Sequence, residues 1–284
     1  MTSVLKMTSS VLSKNLKVAL IQFHSGGDKS LNLQKCKEFI HIALTKDPKL
    51  DMIVLPECWN SPYSVNEFKN YSENIPNGET TKFLSDLAKE NKNIIIGGSY
   101  PELTSDDEVY NTSVSFDRNG EIIAKHRKTH LFDIDIPNKI TFKESISLKA
   151  GNKATVFELP EYGNVGLGIC YDIRFQELAM IAARPPNNVF AMIYPGAFNT
   201  ATGPLHWHLL ARTRAVDNQR KTYPPRRHFV RNQGMFHRNG GLSLKQFLNT
   251  DQKWRRVLTI RGRFTHNNVR GTNISKVWIS GWAQ

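Results

Sequence analysis

Gly163-Asn164-Val165-Gly166-Leu167-Gly168-Ile169-Cys170-Tyr171-Asp172-Ile173-Arg174-Phe175 is the stretch on which the fold turns. Its first half alternates small and apolar residues as a buried strand does. It then reaches a single cysteine, turns through Tyr171-Asp172, and enters an expected helix over residues 174–184. A thiol between the end of a strand and the mouth of a helix sits beside free backbone N–H groups and a positive dipole end, which favour a thiolate and an oxyanion alike. Cys170 taken alone also fits a buried small hydrophobe, so its flanks have to decide.

Outward from this stretch the chain alternates strands and helices. Strands are expected over 17–23, 51–55, 93–100, 189–194 and 155–159, the last forming a hairpin with 163–169. Residues 109–116 and 121–128 read as a second hairpin across Asp117-Arg118-Asn119-Gly120. Helices are expected over 31–44, 79–91 and 204–218. This is an α/β chain with mixed strand directions, most simply two packed sheets with helices outside.

Length and composition set the frame. The 284 residues can bury a large core, and no apolar run approaches the roughly 20 residues of a membrane-spanning helix. The three cysteines, Cys36, Cys58 and Cys170, are too scattered for a disulfide framework or a zinc site, which favours a reducing compartment. The net charge of +13 would suggest nucleic acid or an anionic surface, but its distribution argues otherwise. From Arg220 onward there are 14 Lys and Arg against one acid, Asp251, so this stretch carries the whole +13 and the first 219 residues are neutral. Residues 1–14 hold Lys6, Lys14 and no acid, a weak transit-peptide composition that reads better as a disordered leader. The cytoplasm is the expected compartment, with the mitochondrion as the alternative.

Glu57, Lys128 and Cys170 share one property: each stands where an apolar strand ends. Ligands of α/β sheets bind at the carboxyl ends of strands. A carboxylate, an ammonium and a thiol meeting there would supply a base, an oxyanion stabiliser and a nucleophile.

The flanks of these residues carry a resemblance. Leu55-Pro56-Glu57, then His126-Arg127-Lys128-Thr129-His130-Leu131, then the Cys170 stretch resemble the three motifs of the nitrilase superfamily of carbon–nitrogen hydrolases, in order and spacing, over about residues 17–219. The segment from Phe132 to Pro137, together with Gly196-Ala197-Phe198-Asn199 and the run from Thr202 to Trp207, is most similar to the omega-amidase branch. The resemblance implies a four-layer α-β-β-α sandwich, usually paired into a homodimer, with neither a metal nor an organic cofactor. It implies Cys170 as nucleophile, Glu57 as general base, Lys128 with the Tyr171 N–H at the oxyanion, and Glu144 as a supporting carboxylate. The implied substrate is the omega-amide of a small dicarboxylic keto acid, such as 2-oxoglutaramate or 2-oxosuccinamate. Arg174 and Thr200 or Thr202 would meet its carboxylate and Tyr63 and Phe198 would wall it, although Arg174 equally fits a structural ion pair. Deaminated glutathione or another small amide is an alternative substrate. An alternative of another class is an inactive protein whose basic tail binds nucleic acid or anionic membrane, a reading that rests on charge alone.

The resemblance stops after Gln219. Three segments are therefore expected: a leader over 1–14, a hydrolase domain over 15–219, and a divergent basic tail over 220–284. The simultaneous loss of motif and jump in charge look like a reading-frame change or a mis-joined exon. The sandwich is then expected to be incomplete at its C-terminus, with short strands available only near 257–260 and 276–279.

Overall fold

The computed structural model describes residues 16–137, 140–199 and 202–218, and beyond these only the backbone of four short strands. The leader over 1–14 and most of the tail lie outside the described residues.

The first sheet is built on β1 (Leu16–Gln22), β2 (Met52–Val54) and β3 (Ile94–Ile96), three parallel neighbours. Beside them lie β4 (Tyr100–Leu103), β5 (Val109–Phe116) and β6 (Ile122–Arg127), with β5 antiparallel to all three strands it touches. Next in the chain comes a two-stranded ribbon, β7 (Asp133–Ile136) and β8 (Ile140–Lys143). The second sheet holds β9 (Thr155–Leu159) antiparallel to β10 (Gly163–Leu167), and β11 (Ala191–Tyr194) parallel to β10. The helices are α1 (Lys29–Lys46), α2 (Glu79–Asn91), α3 (Gln176–Ala183) and α4 (Gly203–Asp217). Both hairpins expected from the sequence are present.

The period-two alternation of each strand sorts its residues into layers. Leu16, Val18, Leu20, Met52, Val54, Ile94 and Ile96 pack against Val165, Leu167, Ala191 and Ile193, which makes the interior between the sheets. The alternate residues Ala19, Ile21, Ile53, Leu55 and Ile95 face Cys36, Ile40 and Ala43 of α1 and Leu84, Leu87 and Ala88 of α2. On the far side Met192 and Tyr194 face Ala179 and Ala182 of α3 and Ala211 of α4. The result is the expected α-β-β-α sandwich. Each fully buried aliphatic side chain in these layers is worth about 1.5–3 kcal/mol over an exposed one.

Two boundaries differ from the sequence reading. Residues 93–100 are not one strand, because the chain leaves the sheet at Gly97-Gly98, where Gly98 has φ +66°. A Cβ on Gly98 would lie 2.0 Å from the Pro56 carbonyl oxygen, so only glycine fits this crossing. The helix expected from 174 starts at Gln176, because Cys170–Arg174 is a turn of 3-10 helix.

In the tail, β12 (His228–Arg231) runs parallel to β11 and pairs with β13 (Gly234–Phe236). β14 (Leu258–Ile260) lies antiparallel to β1, and β15 (Ile279–Ser280) pairs parallel with its end. β14 falls where a short strand was expected, β15 shares only Ile279 with the one expected over 276–279, and the first pair had no such signal.

Candidate active site

Glu57, Lys128 and Cys170 do converge. Each follows the last residues of a strand: Glu57 after β2, Lys128 after β6, Cys170 after β10. The Lys128 ammonium donates to Glu57 Oε1 at 2.9 Å and to Glu144 Oε1 at 2.9 Å, and all three side chains are withdrawn from solvent. The Cys170 thiol donates to the Ala197 carbonyl at 3.6 Å, and the Glu57 carboxylate lies near enough to raise its pKa.

The local structure explains the placement. Glu57 sits on a turn pressed against the Gly98 crossing, where the Ser99 N–H donates to the Pro56 carbonyl at 3.0 Å and Ser99 Oγ accepts the Cys58 N–H at 3.1 Å. Its Oε1 also accepts from Asn111 Nδ2 at 3.1 Å, and its Oε2 accepts the Ala197 N–H at 2.8 Å. Ala197 therefore touches both base and nucleophile through its main chain. Glu144 opens a 3-10 turn after β8 and accepts from the Tyr63 hydroxyl and from the Phe132 N–H. Cys170 has φ +42°, a left-handed conformation costly for any residue but glycine and frequent at working sites.

One buried carboxylate braces this strained turn. Asp172 accepts the Ile169 N–H at 2.8 Å, the His130 N–H at 2.9 Å, and ring nitrogens of His126 and His130 at 3.1 and 2.7 Å. His126 and His130 flank Lys128, and Ile169 precedes Cys170, so Asp172 ties the lysine segment to the cysteine turn. Burial works against its charge, but the two histidines hold its carboxyl well below the usual range.

The electrostatics correct one expectation. The thiol is not an easy thiolate: burial, then the neighbouring Glu57 carboxylate, push Cys170 well above its ordinary pKa, against the pull of Lys128. Nor does Lys128 hold Glu57 in the ordinary carboxylate range. Burial raises Glu57, and the Glu144 charge adds to this against the opposing lysine. Burial disfavours the Lys128 ammonium as well, yet Glu57 and Glu144 together hold its pKa well above the ordinary value. One ammonium serves two carboxylates, and burial together with the Glu144 charge outweighs its pull on Glu57. Such a site suits a base that takes the thiol proton only as the thiol attacks.

A cavity of about 330 Å³ opens over Cys170. Tyr63, Tyr171, Arg174, Phe198 and Thr202, all expected near substrate, line it. Thr200 lies outside the described residues. Phe132, Phe142, Ala197 and Asn199 complete the wall without having been singled out from the sequence, and Thr202 Oγ1 donates to Asn199 Oδ1 at 3.0 Å. Tyr63 is more than a wall, since its hydroxyl bonds Glu144. Arg174 is not in a carboxylate ion pair among the described residues. Its Nη2 contacts His206 Nδ1 at 3.0 Å, while its Nε–H is buried with no partner among the described residues. Sequence reasoning missed the roles of Asn111, Asp172 and His206, although Asp172 lies two residues after the cysteine and His206 within the quoted run from Thr202 to Trp207.

Comparison with known proteins agrees with this geometry. The model of the family described as carbon-nitrogen hydrolase matches residues 17–222. The chain is 54% identical over 216 residues to the Saccharomyces cerevisiae protein named omega-amidase NIT3, covering 74% of this chain and 73% of that one. It is 49% identical over 205 residues to human omega-amidase NIT2, covering 72% of each. Among solved structures, that of Saccharomyces cerevisiae Nit3, described as a member of branch 10 of the nitrilase superfamily, superposes with a TM-score of 0.68 at 42% identity. That superposition covers 89% of this chain and 85% of the other. Sandwich, motif order and family match coincide over the same residues: the chain belongs to the carbon-nitrogen hydrolase family.

Proposed function

We propose that this chain is an omega-amidase, hydrolysing the terminal amide of small dicarboxylic keto acids such as 2-oxoglutaramate to the keto acid and ammonia. The observation that carries the reading is the cavity itself: it joins a buried thiol–carboxylate–ammonium cluster to an arginine whose Nε–H has no partner among the described residues. The omega-amidase relatives support it independently.

The chemistry follows from the contacts. Cys170 Sγ attacks the amide carbon while Glu57 takes the thiol proton. Negative charge grows on the carbonyl oxygen, where the Lys128 ammonium and the Tyr171 N–H stabilise it. The C–N bond breaks as Glu57 passes its proton to the leaving nitrogen, releasing ammonia and leaving a thioester on Cys170. Glu57 then deprotonates a water that attacks the thioester carbon, and the thiolate regains the proton as the carboxylate product leaves. Glu144 holds Lys128 and Tyr63 in place throughout. Ammonia release from 2-oxoglutaramate by the full chain is the test; no release above that of Cys170→Ala would refute the reading.

The proposal extends to a homodimer. Leu205, Leu209 and Val216 fall within one stripe of α4 and are 59–68% exposed, and Met180 and Ile181 of α3 are exposed as well. Sedimentation equilibrium of the full chain is expected to return twice the monomer mass of 32.3 kDa, and a monomer at high concentration would contradict it.

A further inference from the structure

We infer that His206 is a positioning residue that selects acidic over neutral amides, by aiming the Arg174 guanidinium at the substrate's distal carboxylate. The inference rests on the proposed reading of the cavity as a site for a carboxylate-bearing amide.

Arginine has N–H donors only, so in the 3.0 Å contact between Arg174 Nη2 and His206 Nδ1 the imidazole nitrogen must accept. That fixes the ring as neutral at Nδ1 and uses one guanidinium N–H. The Nε–H remains buried and unpartnered among the described residues, while Arg174 lines the cavity. A buried donor without an acceptor is unfavourable until a ligand supplies one. A planar guanidinium is the side chain best matched to a carboxylate.

Residue 174 is held by α4 at two points. His206 takes the side chain, and Arg214, eight residues along the same helix, donates from Nη2 to the Arg174 carbonyl at 2.9 Å and from Nε to the Ile173 carbonyl at 2.8 Å. The main-chain grip fixes where residue 174 is. The His206 grip fixes where its guanidinium points. The Tyr171 ring, whose centroid lies 5.3 Å from Cζ, borders it on a further side. A neutral amide can meet these donors only through one uncharged carbonyl oxygen, whereas a carboxylate offers two charged ones, so the aimed guanidinium favours acidic ligands.

The test uses the full chain with His206→Leu, which removes the acceptor, and His206→Asn, whose side-chain oxygen can stand where Nδ1 stood. Protection of Cys170 against iodoacetamide is titrated with glutarate and with the uncharged diamide of the same length. In His206→Leu the glutarate concentration needed is expected to rise about tenfold relative to the diamide, the size of one lost charged hydrogen bond. His206→Asn is expected to recover most of that ratio. An unchanged ratio in His206→Leu, no rescue by His206→Asn, or no protection of the parent chain by glutarate would each overturn the inference. If the ratio shifts as expected while the parent chain releases no ammonia from 2-oxoglutaramate, His206 keeps its role and the proposed reaction falls.

Discussion

At the scale of single residues, the account rests on one base shared between two steps. Glu57 must be ionised to take the thiol proton, and its pKa is raised by burial and by Glu144. Turnover is therefore expected to fall on acidification at a pH above the ordinary glutamate range of about 4.3. Glu57→Gln should slow both acylation and deacylation and remove that acidic limb; a profile of pH against kcat/KM is the check, and an unchanged limb would move the base to another group. The same substitution makes a stability prediction. A carboxylate whose pKa is raised by folding binds its proton more tightly in the folded state, so its contribution is favourable at low pH and lost as pH climbs past the unfolded value. Ionisation of Glu57 thus costs the fold stability at neutral pH. Gln at this position leaves Lys128 paired with Glu144 alone, and the melting temperature at neutral pH is expected to rise. Asp172 has the opposite sign: its lowered pKa stabilises the fold above the unfolded value and the benefit is lost as pH falls toward the folded one.

At the scale of elements, the site is made by strand ends, and this is why so much of it could be read in the chain. Glu57, Lys128 and Cys170 each close an apolar run, and runs are what sequence patterns display best. Contacts made by distant segments left no such trace. His206 meets Arg174 across 32 positions, and Asn111 meets Glu57 across 54. The β7–β8 ribbon escaped notice because its first strand is largely solvent-exposed and lacks the buried face that produces a strand pattern. The Gly98 crossing was mistaken for the middle of a strand because two glycines in an apolar run are compatible with either. Its consequence is testable. Gly98→Ala would force a Cβ to within 2.0 Å of the Pro56 carbonyl and add the strain of a positive φ. A loss of about 1–3 kcal/mol from the backbone alone is expected, with further loss of activity as the Glu57 turn is pushed aside. Thermal unfolding and turnover measured together check it, and a fully active, equally stable variant would show that the crossing does not hold Glu57.

At the scale of the whole molecule, the charge step and the family match end almost together, at residues 219 and 222. The body is neutral and the tail carries +13, and like charges such as Arg226-Arg227 and Arg255-Arg256 have only Asp251 to offset them. We propose that this step marks the end of the independently stable body, with the tail adding only short strands to the margins of its sheets. Limited trypsin digestion is expected to remove the tail before it cuts the body; a tail as resistant as the body would make it part of one folded unit. The body nevertheless holds every side chain that the proposed chemistry uses. The most direct test of that claim is the intact mass of the full chain quenched during turnover of 2-oxoglutaramate. The account predicts a covalent 2-oxoglutaryl adduct that maps to Cys170 by peptide sequencing, accumulates further in Glu57→Gln if deacylation is slowed more than acylation, and is absent from Cys170→Ala. Ammonia release that proceeds without any adduct on Cys170, and survives its replacement by alanine, would contradict it.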